Sequence, residues 1–111
     1  MSDAVPAPLR SAQLKERLDR GDPLVLLDVR EGTEIEICSL PGITHIPLGE
    51  LSLRHMELDP EAEIVCICHH GIRSAHAANG LSRLGFDGPL WNLTGGMEAW
   101  AVDIDSAMAR Y

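Results

Sequence analysis

Residues 68–74, with the sequence CHHGIRS, bring a cysteine, two histidines and an arginine together at a spacing suited to nucleophilic chemistry. Cys68 ends an apolar run over residues 63–68, and residues 74–84 have helical spacing. Backbone N–H groups between a parallel strand and a helix can surround one point in front of the helix dipole. Such a field holds anions and favours thiolate over thiol, so Cys68 is the candidate nucleophile.

The rest of this segment supplies groups that suit an anion site. Gly71 permits the positive φ that a tight loop requires, and Arg73 adds a permanently charged fork that fits an oxyanion. His69 and His70 contribute either hydrogen-bond donors with a pH-dependent charge or simply solvated side chains. On local pattern alone, the alternative remains open that Cys68 is a small buried residue at a strand end.

Hydrophobic patterning gives the elements that must position this segment. It predicts helices over residues 11–20, 48–58, 74–84 and 97–102, a helical tendency over 31–37, and strands over 24–29, 43–46, 63–68 and 90–93. Ser11 is the expected N-cap of the first helix, and Gly21 is its expected stop. This alternation predicts an α/β fold with a mostly parallel sheet, because parallel strands need crossover connections and helices supply them.

Length and charge limit the possible partners. The chain has 111 residues, enough for one domain, and its 17 acidic and nine basic residues give a net charge of −8, which argues against nucleic-acid binding. No apolar stretch approaches the ~18 residues of a membrane span, and the start MSDAVPAPLR lacks the features of a signal peptide. We therefore expect a cytoplasmic protein without membrane contact, whose three cysteines stay reduced.

Three motifs together resemble one known family. The strings LLDVRE at residues 26–31, CHHGIRS at 68–74 and NLTGGMEAW at 92–100 are similar in order and spacing to single-domain rhodanese (thiosulfate sulfurtransferase-like) proteins. The resemblance implies a rhodanese-like three-layer sandwich, with a five-stranded, mostly parallel sheet and helices on both faces. It assigns residues 9–102 to the domain, residues 1–8 to an N-terminal lead-in and residues 103–111 to a C-terminal tail.

The resemblance also implies a chemistry. Cys68 becomes the persulfide-forming nucleophile, and the substrate-binding loop comprises His69, His70, Gly71, Ile72 and Arg73. A small sulfur-containing anion such as thiosulfate donates sulfur, and a thiol, cyanide or a protein accepts it, without a metal or another cofactor. The alternative is a carrier or sensor of persulfide that serves a partner protein without turnover of its own. Phosphatase or arsenate chemistry is disfavoured, because related enzymes of that type place five residues between the cysteine and the arginine, and this chain has four.

Asp28, Arg30 and Ser74 are expected to give structural support, the first two as an ion pair at the end of a buried strand. Cys66 is expected in the core, two residues before Cys68 on the same face of its strand. A Cys-x-Cys pair beside histidines can suggest a metal site, but the spacing is too short for a usual zinc pair.

One segment departs from the family pattern. Residues 38–43 read CSLPGI where many rhodanese-like domains have Gly-His-Ile-Pro-Gly-Ala, so no role of that histidine can be transferred. The stretch EICSLP at residues 36–41 is more similar to rhodanese domains that act in sulfur-carrier activation, which favours a protein acceptor over cyanide. Cys38 is either buried filler or a thiol that resolves the persulfide.

Overall fold

Five parallel strands form the central sheet of a computed structural model that describes residues 6–111. Their spatial order is β1-β5-β4-β2-β3. The strands are β1 (Ala7–Leu9), β2 (Val25–Asp28), β3 (Thr44–His45), β4 (Ile64–Ile67) and β5 (Leu90–Leu93). The helices are α1 (Ser11–Asp19), α2 (Gly32–Ile37), α3 (Leu51–Arg54), α4 (Ile72–Arg83) and α5 (Gly96–Asp103). Within residues 6–111, no helix has both the length and the apolar character needed to cross a membrane.

Side chains of the central strands alternate between two hydrophobic cores. On β4, Ile64 and Cys66 belong to the core covered by α3 and α4, whereas Val65 and Ile67 belong to the core covered by α1 and α5. Because both faces of β4 are buried, its sequence is a continuous apolar run instead of an alternating one. The predicted three-layer α/β architecture with a five-stranded sheet is confirmed.

The first strand lies where the sequence predicts only a lead-in. Ala7 and Pro8 belong to β1, which pairs with β5 at the edge of the sheet. Residues 1–5 of the predicted lead-in lie outside the described residues. Pro8 fits an edge strand because that strand has a partner on one side only, so its missing N–H leaves no neighbour unpaired.

Three helix predictions differ from the structure in detail. The N-cap of α1 is Arg10, whose N–H bonds the Gln13 side chain at 2.9 Å, while the Ser11 hydroxyl is buried without a partner in the described part of the chain. The helix predicted over residues 48–58 is divided into a 3₁₀ turn, α3 and a second 3₁₀ turn, and Gly49 in the first of these turns has a low helix propensity. Helix α4 begins at Ile72, two residues before the predicted start, directly after Gly71 with its φ of 101°.

The segment after α5 packs back on the domain. Ile104 and Met108 contact the core that α1 and α5 cover, and Arg110 forms an ion pair with Glu98 of α5. These contacts bring Tyr111 to the end of the sheet where Cys68 lies.

Helix α5 begins against the backbone that follows β4. The N–H groups of Met97 and Glu98 donate to the carbonyls of Cys68 and His69 at 2.9 and 3.1 Å. A Cβ on Gly96 would lie 2.3 Å from the Cys68 carbonyl oxygen, and the φ of Gly96 is 58°. A glycine is therefore required for α5 to approach this loop so closely.

We predict that Gly96→Ala lowers the free energy of unfolding by at least about 2 kcal/mol, because a methyl group there meets backbone that cannot easily move. Gly80→Ala is the matched control: Gly80 lies inside α4, a Cβ there has nothing within 4 Å, and alanine favours a helix by up to about 1 kcal/mol. Urea denaturation of both variants measures the difference. Equal effects of the two substitutions would contradict the close approach.

Candidate active site

The Cys68 sulfur accepts hydrogen bonds from the peptide backbone of its own loop. Its Sγ lies 3.1 Å from the Gly71 nitrogen, 3.3 Å from the Ser74 nitrogen and 3.2 Å from the Ser74 hydroxyl oxygen. Cys68 follows the last residue of β4 and is 1% exposed, so little water competes for these bonds. The arrangement can stabilise negative charge on sulfur, since N–H groups donate to an anionic acceptor more strongly than to a neutral one.

Gly71 holds the loop in a conformation that other residues rarely adopt. Its φ is 101°, and a Cβ on it would lie 3.3 Å from the backbone nitrogen of Gly95. The side-chain amide of Asn92, on β5, donates to the Gly71 carbonyl at 3.0 Å. The backbone conformation of Gly71 and its contact with Asn92 of β5 therefore fix the position of the Gly71 N–H group, which donates to the Cys68 sulfur.

Arg73 is predicted to bind an anion, and in the structure its guanidinium is held by a carboxylate. Its two terminal nitrogens bond the Glu34 oxygens of α2 at 2.7 and 2.8 Å. Hydrogen bonds from Arg73 lower the pKa of Glu34 to about 2, and the same bonds raise the pKa of Arg73. Glu34 therefore remains ionised and offsets the positive charge that Arg73 brings near the sulfur.

Asp28 and Arg30 form an ion pair whose two side chains are completely buried. The Arg30 Nε and Nη2 atoms bond the two Asp28 oxygens at 2.9 and 2.8 Å. Arg30 also donates to the Cys38 carbonyl, to the Glu34 carbonyl and to the Tyr111 hydroxyl, at 2.8, 3.4 and 3.0 Å. One guanidinium thus joins the end of β2 to α2 and to the C-terminal segment.

The other two cysteines occupy different environments. Cys66 is fully buried in the core, and this burial, with a smaller contribution from the Cys68 charge, raises its pKa to about 12. Cys38 is half-buried, and its sulfur lies 3.7 Å from the Arg30 Nη1 atom. At neutral pH, Cys66 therefore has almost no thiolate form.

The two loop histidines directly follow Cys68 in the chain and contact each other, and neither forms a hydrogen bond to its sulfur among residues 6–111. Their ring centroids are 3.9 Å apart, and the His69 ring stacks on Tyr111 at 3.8 Å with an interplanar angle of 15°. The His69 Nε2 atom is buried and has no hydrogen-bond partner among residues 6–111. Burial, followed by the charge of His70, lowers the pKa of His69.

The sequence analysis proposed all seven residues from 68 to 74 for this site. Three of them, Cys68, Gly71 and Ser74, are linked by hydrogen bonds at the Cys68 sulfur. Gly71 and Ser74 bond Cys68 directly, whereas His69, His70, Ile72 and Arg73 supply no hydrogen bond to it within the described chain. Ile72 is 69% exposed and His70 is also exposed. Exposed side chains at the mouth of a site can still contact a substrate or a partner.

Sequence reasoning missed three residues that the structure places at this site: Glu34, Asn92 and Tyr111. The Tyr111 hydroxyl donates to Glu34 at 2.7 Å, across 77 positions of sequence. Asn92 accepts the hydrogen of the Ser74 hydroxyl. Asn92 begins the NLTGGMEAW string, but no local spacing assigns a role to any of the three, because each acts through a contact with a distant segment.

The comparisons agree on one family. The model of the Rhodanese-like domain family matches residues 11–103. The crystal structure of a rhodanese-related protein from Thermoplasma volcanium superposes with a TM-score of 0.79 at 31% identity. That match covers 88% of this chain and 93% of the other.

Two curated relatives from Bacillus subtilis (strain 168) add functional descriptions. YrkF, named as a candidate sulfur carrier protein, is 43% identical over 86 residues, which are 78% of this chain and 46% of YrkF. YtwF, named as a candidate sulfurtransferase, is 36% identical over 92 residues, which are 83% of this chain and 87% of YtwF. The chain therefore spans most of the second relative and about half of the first.

We predict that Tyr111→Ala raises the pKa of His69 towards its ordinary value, because the ring that covers the imidazole is removed. Tyr111→Phe keeps the stacked ring and should leave that pKa lowered. NMR titration of His69 in both variants tests this, and an equal rise in the two would assign the effect to the hydroxyl instead.

The lowered pKa of His69 also makes the free energy of unfolding depend on pH. Below about pH 6.5 the unfolded chain binds more protons at His69 than the folded chain does, so the wild type loses stability as the pH falls. Tyr111→Ala should weaken this loss, which denaturation at two pH values measures.

Proposed function

The chain belongs to the rhodanese-like domain family, and from this membership we propose that it is a sulfurtransferase that carries sulfane sulfur as a persulfide on Cys68. One observation carries the proposal: two backbone N–H groups, from Gly71 and Ser74, donate to the Cys68 sulfur. The relatives named as a sulfur carrier and as a sulfurtransferase support transfer of the rhodanese kind.

The proposed reaction has two steps and needs no external oxidant or reductant. In the first, an electron pair of the Cys68 thiolate attacks the outer sulfur of a donor such as thiosulfate. A new S–S bond forms as the S–S bond of the donor breaks, and sulfite leaves with the bonding pair. In the second, a thiol, cyanide or protein acceptor attacks the outer sulfur of the persulfide and restores the Cys68 thiolate.

The loop residues have separate proposed roles. The N–H groups of Gly71 and Ser74 stabilise the thiolate before attack and after release, in the manner of an oxyanion hole. His69, His70, Ile72 and Arg73 line the approach to the sulfur and contact the donor or acceptor. Asp28 and Arg30 support the loop from below, because their buried pair fixes α2 and the Glu34 carboxylate that holds Arg73.

A second candidate function is a persulfide carrier or sensor that serves a partner protein without turnover of its own. The near-complete burial of Cys68 favours it, since a buried persulfide is protected from stray thiols. The net charge of −8 favours a basic partner through electrostatic steering. The three unpaired cysteines support a reducing compartment such as the cytoplasm for either function.

We predict that treatment with thiosulfate adds the mass of one sulfur atom to the wild type and to Cys38→Ser, but not to Cys68→Ser. Cyanide should then release thiocyanate from the first two proteins only. Mass spectrometry and a thiocyanate assay measure the two steps separately. A mass gain without repeated turnover favours the carrier function, and a Cys68→Ser protein that still gains sulfur contradicts both functions.

We predict that Glu34→Gln lowers the KM for thiosulfate by about three- to tenfold, because it removes the negative charge that offsets Arg73. Glu36→Gln is the matched control, since Glu36 is exposed on the same helix and gives the same change in net charge. Steady-state kinetics at low ionic strength compares them. A higher KM in Glu34→Gln would show that Glu34 positions Arg73 more than it neutralises it.

A further inference from the structure

Asn92 lies behind the loop, on β5, and bonds two of the residues that surround the sulfur. We propose that Asn92 is a positioning residue: it holds the hydroxyl hydrogen of Ser74 away from Cys68, and so it opposes loss of the Cys68 proton. The proposal deepens the proposed function, on which it rests for its biological meaning, and concerns the step that generates the nucleophile.

The orientation of the Asn92 amide is fixed by its neighbours. The Gly71 carbonyl can only accept a hydrogen bond, so the amide nitrogen must be the atom that faces it, at 3.0 Å. The amide oxygen therefore faces the Ser74 hydroxyl and accepts its hydrogen. Exchanging the nitrogen and the oxygen would place two acceptors against each other at Gly71.

A count of hydrogens then determines what Ser74 offers to the sulfur. A serine hydroxyl has one hydrogen, and that hydrogen is directed to Asn92. Towards Cys68, 3.2 Å away, the Ser74 oxygen can present only a lone pair. That contact is favourable when the sulfur carries a proton and donates it, as the thiol does.

Deprotonation makes the same contact unfavourable. Either the Ser74 lone pair faces a negatively charged sulfur, or the hydroxyl turns to the sulfur and leaves the Asn92 oxygen without its donor. Both arrangements cost free energy, because a buried acceptor without a donor is destabilised. The hydroxyl and the two backbone N–H groups thus act in opposite directions on the thiolate.

Asn92 carries no formal charge, so replacing it by an apolar residue leaves the number and position of the charged groups around Cys68 unchanged. Arg73 at the start of α4, whose partner is Glu34 of α2, and the protonated Cys66 thiol on β4 interact electrostatically with Cys68, and the titratable rings of His69 and His70 follow it in the loop. None of them bonds the Asn92 side chain among the described residues. A change in Cys68 protonation on replacing Asn92 therefore reports on the Ser74 hydrogen or on the position of Gly71.

Alkylation of the thiol separates these two effects. The rate of reaction with iodoacetamide is followed against pH in the full chain carrying Cys38→Ser, and Cys66 does not interfere because its pKa is raised to about 12. Four proteins are compared: this reference, Asn92→Leu, Ser74→Ala and the double variant. Circular dichroism confirms folding, and Asn92→Ala replaces Asn92→Leu if the latter does not fold.

We expect Asn92→Leu to move the midpoint of the alkylation profile down by about one pH unit, which is about tenfold more thiolate below the midpoint. In the Ser74→Ala background the same substitution should produce no downward shift, because the hydroxyl that it releases is absent. An unchanged or higher midpoint in Asn92→Leu overturns the proposal, and so does a downward shift that persists without the Ser74 hydroxyl. No sulfur donor is used, so failure of sulfur transfer and failure of this proposal are distinguishable.

Discussion

Two peptide N–H groups are directed at the Cys68 sulfur, and this arrangement constrains the neighbouring backbone. A loop that turns its N–H groups inward towards Cys68 leaves its own carbonyls in need of donors. Helix α5 supplies them, through the N–H groups of Met97 and Glu98. The loop is therefore held through its N–H groups by the sulfur and through its carbonyls by α5. A side chain at Gly71 or Gly96 would meet neighbouring backbone and disturb this arrangement.

The buried Asp28–Arg30 pair extends this support to the outer side of the site. An isolated charge in the core is costly, so Arg30 keeps Asp28 beside it and uses its remaining hydrogens on the carbonyls of Cys38 and Glu34. Those bonds fix α2, and α2 presents the Glu34 carboxylate to Arg73. Arg30, which does not contact the Cys68 sulfur, thus fixes the position of Glu34 and, through Glu34, the position of the Arg73 guanidinium.

The parts of this arrangement that the sequence reveals are those determined by neighbours in the chain. Strands β2 and β4 are recognisable because burial on both faces produces short apolar runs. The Cys68 loop is recognisable for the same local reason, since Gly71 and Ser74 follow within six positions. Strand β1 is not, because Ala7–Leu9 has little strand propensity and gains its structure only by pairing with β5.

Long-range partners explain the rest of what the sequence does not reveal. Arg73 is predicted within the loop and lies in the first turn of α4, but its partner Glu34 lies 39 positions away, and no pattern in either segment specifies the pair. Tyr111 belongs to a segment without periodicity, and its contacts with His69 and Glu34 arise only because Ile104 and Met108 anchor that segment on the core. Such residues adjust the site but do not define the loop.

The charge balance of the site follows from these pairings. With Arg73 matched by Glu34 in a chain of net charge −8, the proposed stabilisation of negative charge at Cys68 depends mainly on the direction of the Gly71 and Ser74 N–H groups. Peptide hydrogens do not titrate, and their hold falls off steeply with distance and angle. The two N–H groups therefore favour a ligand by the position of its acceptor atom more than by the size of its negative charge. In the proposed function, the acceptor atom at that position is the Cys68 sulfur itself, as a thiolate or as the inner sulfur of a persulfide.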